Sequence, residues 1–234
     1  MNDLNLNLNL NLNLELKRSC IFIGALALAS ALAACASKPA PPAWKANAGS
    51  GLAAYSDAYL KGDSAIAGAE FARARREMAS TGRPDLVAHA ELYRCATRVA
   101  SLEYDDCPGF KALEQDATPA ERAYAAYLAG RWDGLEAALL PEQHRAVVAG
   151  AKTGAQAGAL AQVADPLSQL VAAGALMQVG RIGPADIAVA TETASGQGWR
   201  RPLLMWLGVS LKRAQAAGDT AEAARVQRRI DIAG

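Results

Sequence analysis

The chain is poor in the residues that hold metals. Two histidines and four cysteines in 234 residues mean that a site built from several such ligands would use nearly all of them. Neither sign of charge dominates either. The 24 Lys and Arg are matched by 23 Asp and Glu, so the chain lacks the basic excess that neutralises phosphates, which speaks against nucleic acid as a partner. The uncharged apolar stretch from Cys20 to Ala34 has 15 residues, short of the roughly 20 that a spanning helix needs. After residue 44 no segment sustains the alternating Val, Ile and Thr pattern of a strand. What the chain does have is apolar bulk. At 52% hydrophobic residues it can bury a sizeable core, which excludes a disordered or collagen-like chain.

The first segment reads as an address. Lys17 and Arg18 precede the short apolar run, and small residues close it, the pattern of a secretory signal peptide. Leu32-Ala33-Ala34-Cys35 resembles the lipobox of bacterial lipoproteins. That resemblance implies cleavage between Ala34 and Cys35 and acylation of Cys35 (palmitate-type chains), anchoring the protein in a membrane; an ordinary signal peptide is the alternative. Ala36 rather than Asp after the cysteine implies the outer membrane, with the body facing the periplasm. The stretch Ala36–Ala43 carries three prolines and one charge and suits a tether between bilayer and body. Residues 4–14 alternate Leu and Asn as low-complexity sequence. The expected division is a signal over 1–34, a lipidated tether over 35–48 and a helical domain over 49–234.

Export bears on the cysteines. Cys20 leaves with the signal and Cys35 is taken by lipid, leaving Cys95 and Cys107 in an oxidising compartment, where a pair commonly closes a disulfide. Two free buried thiols are the alternative.

The body is all-α by its periodicity. Asp63 caps a stripe of Ala67, Phe71, Ala74 and Met78; Asp85 opens a run with Leu86, Ala90 and Tyr93; Thr118-Pro119-Ala120-Glu121 is a capping box. Further starts lie at Asp165-Pro166, which leads Leu167, Leu170, Val171 and Gly174, then at Gly183-Pro184, Pro202 and Asp219. Gly62, Gly130, Gly180 and Gly218 each end a helix shortly before the next, so the helices pair as antiparallel hairpins. Gly62-Asp63 with Ala67, Phe71 and Ala74, and Leu207-Gly208 with Leu211, Gly218 and Ala223, resemble degenerate tetratricopeptide repeats. The resemblance implies a stacked helical solenoid, with an irregular helical bundle as the alternative. It also implies a groove lined by residues of the first helices, here Tyr55, Tyr59, Tyr93, Tyr124 and Tyr127, which serve equally well as hairpin packing.

Catalytic motifs are few. Gly150-Ala151-Lys152-Thr153 lacks the glycines of a phosphate loop. Gly150, Gly154 and Gly158 suit a flexible connector or a closely packed helix face. His89 and His144 read as solvated side chains, and Glu103, Asp105 and Asp106 form an acidic loop without the spacing of a calcium site. Arg73, Arg75, Arg76 and Arg83, and Arg225, Arg228 and Arg229, form two basic faces, either solvated or docking an acidic partner. No cofactor or metal is expected. The function expected is a non-catalytic envelope scaffold that binds a protein or peptide segment. The alternatives are a wall-modifying enzyme or its activator, using Glu103–Asp106, Glu136 or Glu142, and a structural envelope lipoprotein without a dedicated partner.

Overall fold

The computed structural model describes residues 42–153 and 158–234; the expected signal, lipobox and Cys35, the tether as far as residue 41, and Gly154 lie outside the described residues. Every regular element among the described residues is helical: α1 Ala43–Lys61, α2 Ser64–Ala79, α3 Pro84–Val99, α4 Pro108–Lys111, α5 Pro119–Leu128, α6 Glu142–Thr153, α7 Pro166–Gln178, α8 Pro184–Gly196, α9 Arg200–Ala216 and α10 Thr220–Ala233. Single 3-10 turns cover Glu114–Asp116, Ala137–Leu139 and Leu160–Gln162. None of these helices is long and apolar enough to cross a membrane.

The local start signals act as their chemistry requires. Asp63, Asp165 and Asp219 each accept a hydrogen bond from a first-turn amide, and Thr118 and Glu121 complete a reciprocal box. The four turn glycines all take positive φ, which glycine alone adopts without steric cost. Three details differ from expectation. Helix α1 begins at Ala43, six residues before the expected boundary at 49, because nothing after Pro42 breaks a helix and Ala48 is buried in the core. Asp85 is not a cap but sits in the first turn of α3, whose flanking residue is Arg83. After Gly130 the chain does not turn straight into a helix; it runs through the 137–139 turn, and α6 begins only at Glu142.

The hairpin α1–α2 is tight: a Cβ on Gly51 would lie 2.9 Å from that of Ala74, so the two backbones approach closely where small residues face each other. Helix α3 lies at the centre, touching α1, α2, α5 and α7. Helix α7 is enclosed, with every residue from Gln169 to Leu176 buried. The chain then returns on itself. Helix α9 packs on α8, α10 and α1. Trp206, fully buried, donates its indole N–H to the Ala100 carbonyl at 3.3 Å. The Arg201 guanidinium lies 4.3 Å over the Tyr59 ring and donates to the Tyr59 carbonyl at 2.7 Å, fastening α9 to the end of α1.

The sulfurs of Cys95 and Cys107 are joined in a disulfide. It holds the loop after α3 against that helix. Asp105 adds to this by accepting from the Cys107 amide at 2.9 Å and pairing with Arg98 at 2.6 Å.

Candidate functional site

The apolar positions of α3, α5 and α7 recur at helical spacing and leave a cleft where they diverge. Leu92, Tyr93 and Ala96 come from α3, Ala120 and Tyr124 from α5, and Leu167 and Val171 from α7; Leu139, Leu140 and Pro141 close one side. The cleft has a volume of about 570 Å³, within the range of sites that hold organic ligands. Alanines at 96 and 120 leave the space that larger side chains would fill.

Its rim is polar and held in place. His89, Glu121, Gln143, Asp165 and Ser168 stand around the mouth. The Asp165 carboxylate accepts from the Ser168 amide at 2.7 Å, and Gln143 donates to the Ser168 hydroxyl at 3.3 Å. Glu121 accepts from the amide and hydroxyl of Thr118 at 2.8 and 2.9 Å. The same residues that start α5 and α7 thus fix the rim.

Beneath the cleft lies a stack of rings. Tyr124 lies 5.9 Å from Tyr127 and 5.7 Å from His144, and Tyr127 stacks on Trp132 at 5.3 Å. The Tyr127 hydroxyl and His144 Nδ1 are 3.3 Å apart, and the Trp132 indole donates to the Tyr127 carbonyl at 2.9 Å. Tyr93 donates to the Ser56 hydroxyl at 2.9 Å. Burial pushes the Tyr93 and Tyr124 phenols up from their ordinary value, so both present a neutral ring to an occupant.

The expected groove residues therefore divide. Tyr93 and Tyr124 are half-buried and line the cleft; Tyr55, Tyr59 and Tyr127 are buried in the core. Tyr55 packs against Phe71 at 5.3 Å, as hairpin-filling residues do. His144 is not solvated: it is 1% exposed, because the ring stack from α5 closes over α6. Burial pushes its imidazole down to about 4. An unfolded chain takes up a proton on histidine near pH 6.5, while the folded chain resists until about 4, so stability falls as pH drops through that window. At pH 5 the loss relative to neutral pH should be roughly 2 kcal/mol. Urea unfolding at pH 7.5 and pH 5 should show this difference in the wild type and lose it in His144→Phe, which keeps a ring in the stack.

The basic faces are largely engaged within the chain. Arg73 pairs with Glu70 at 2.6 Å, Arg225 with Glu222 at 2.6 Å and Arg229 with Glu192 at 2.9 Å, while Arg76 is exposed on α2. The first two are i,i+3 pairs, each along one helix, and the third links α10 to α8. The carboxylates considered for catalysis stand away from the cleft lining. Glu103 lies between Arg98 and Arg201, Asp105 is tied to Arg98, and Glu136 and Glu142 are exposed. Lys152 of the rejected phosphate-loop match sits inside α6 and donates to the Leu135 carbonyl at 2.6 Å.

Asp165, Gln143, Ser168 and the Leu139–Pro141 wall carry no local mark of a site, since segments far apart in the chain assemble the cleft. Comparisons with family models, with curated proteins and with solved structures find no match to this chain, so its functional reading rests on the cleft and on the residues that frame it.

Proposed function

We propose that the protein is a lipid-anchored scaffold on the periplasmic face of the outer membrane, whose helical domain receives an apolar segment of a partner protein and performs no catalysis. The lipobox-like run ending at Cys35 supports the anchor. The observation that carries the binding role is the apolar cleft with its fixed polar rim. A polypeptide suits it because amides drawn out of water need hydrogen-bond partners, and Gln143, Ser168 and His89 offer them at the mouth. In this reading the helices are degenerate tetratricopeptide-like hairpins closed into an irregular bundle, because α9 returns onto α1. The binding surface is accordingly a cleft rather than a long concave groove.

The wall-enzyme alternative draws on Glu103–Asp106, Glu136 and Glu142; Glu103 and Asp105 are held by arginines, and none of these carboxylates lines the cleft. The structural alternative is distinguished in cells. A photo-crosslinking side chain at Ala120, exposed on the cleft rim, should give one dominant protein adduct, whereas the same group at Ile66, exposed on α2, should give none. With Cys35→Ser the Ala120 adduct should fall by about tenfold, as the anchor no longer raises local concentration. Absence of an adduct at Ala120 would leave the protein a structural lipoprotein. An adduct unchanged by Cys35→Ser would remove the anchor from the mechanism.

A further inference from the structure

We infer that the cleft selects apolar segments flanked by lysine or arginine, with Glu121 and Asp165 receiving the flanking cations. The inference rests on the peptide-binding reading above and adds to it the charge of the occupant.

Some carboxylates elsewhere on the surface pair with cations of the chain, and others, such as Glu77 and Glu136, pair with none among the described residues. Asp57 pairs with Lys61, Glu70 with Arg73, Asp85 with Arg83 and Glu222 with Arg225. The cleft lining contains two carboxylates and neither lysine nor arginine, and among the described residues Glu121 and Asp165 take part in no ion pair. Arg122, next to Glu121 in sequence, donates to the carbonyls of Glu114 and Ala117, and Arg145, on the helix that carries Gln143, donates to that of Leu140 at 2.8 Å. An apolar floor beneath two carboxylates that cap helices but have no cationic side chain in the same lining attracts a ligand with an apolar middle and positive ends. It repels one with acidic ends, because charges beside a low-dielectric wall act more strongly than charges in open water. The amide and hydroxyl groups of Gln143 and Ser168, in the same lining as the two carboxylates, favour a peptide over a simple amphiphile.

The test compares three fluorescent peptides with a common leucine core, flanked by lysines, serines or glutamates, titrated against the purified protein by anisotropy. At low salt the lysine-flanked peptide should bind about tenfold more tightly than the glutamate-flanked one, and high salt should narrow the gap. The double variant Glu121→Gln/Asp165→Asn removes both charges while keeping the caps, since Gln completes a capping box and Asn caps a helix as well as Asp. It should melt like the wild type and retain at most about a twofold preference. Equal binding of all three peptides by the wild type would overturn the charge selectivity and leave the cleft reading intact. Binding that survives Ala120→Trp, which fills the cleft, or no binding of any peptide, would overturn both. Displacement of the lysine-flanked peptide by dodecyltrimethylammonium at equal concentration would overturn the peptide as occupant.

Discussion

Gly174→Ala is expected to cost about 3 kcal/mol and to lower the melting temperature by roughly 6–12 °C. Gly174 lies in the middle of α7 where that helix crosses the end of α3. A Cβ there would stand 2.2 Å from the Val99 carbonyl oxygen and 2.9 Å from its carbon. These are backbone atoms, so no rotamer change relieves the overlap and one helix must move. Movement has further costs. The Gly174 carbonyl accepts from the Tyr104 hydroxyl at 2.9 Å, and every residue from Gln169 to Leu176 is buried, so displacement opens contacts all round this part of the helix. Helical propensity alone argues the reverse, since alanine is favoured over glycine by about 1 kcal/mol within a helix.

Gly208→Ala isolates that opposing effect. Gly208 is also inside a helix, α9, but a Cβ there meets nothing within 4 Å. This variant should gain about 0.5–1 kcal/mol. Thermal melts followed by far-ultraviolet circular dichroism measure both. A Gly174→Ala protein as stable as the wild type would mean that α7 and α3 do not cross at this point.

The two glycines show how far the sequence could be read. Both stand in apolar helical stripes, and nothing local distinguishes them; only the crossing of helices some 75 residues apart in the chain makes one obligatory. The helix starts were legible because caps and turns are local chemistry: Asp63, the Thr118–Glu121 box and Gly62 act within four residues of themselves. Burial of tyrosines was legible only as a choice. Tyr55 and Tyr93 both lie on apolar faces, but Tyr55 faces α2 and fills the hairpin, while Tyr93 faces the gap between α5 and α7. His144 was misread because polarity suggested solvent, whereas Tyr124, Tyr127 and Trp132, from up to 20 residues away, supply a stack that accepts a neutral imidazole. The return of α9 onto α1 depends on Arg201 and Trp206 meeting residues about a hundred positions or more earlier in the chain, beyond any local pattern. The cleft is legible to the same limited extent: its rim residues announce helix ends, not one another.

Removing the bond between Cys95 and Cys107 should cost about 3 kcal/mol, the entropy regained when a loop of this size is opened in the unfolded chain. The double variant Cys95→Ala/Cys107→Ala tests this in urea, and the wild type should move to the same midpoint only when unfolded in the presence of reductant. Both residues are buried in the native protein, at 4% and 7% exposure, so reductant should attack slowly until the chain opens. The loss is not confined to the unfolded state. Cys107 holds a left-handed backbone conformation at φ 46°, which side chains other than glycine adopt at a cost. Without the bond, the Arg98–Asp105 pair and the Asp105 contact to the Cys107 amide must hold that turn alone. That same loop carries Tyr104, the residue that reaches Gly174 on α7. Freeing it therefore loosens the brace between α3 and α7, the two helices whose apolar sides face each other across the cleft. Amide hydrogen exchange should rise first over residues 103–110 and next at the end of α3. Lysine-flanked peptide binding should weaken severalfold while the helical content at neutral pH stays unchanged. Unchanged stability on removal of both sulfurs would show that the acidic loop is held by its ion pairs alone and that the covalent brace adds nothing to the cleft.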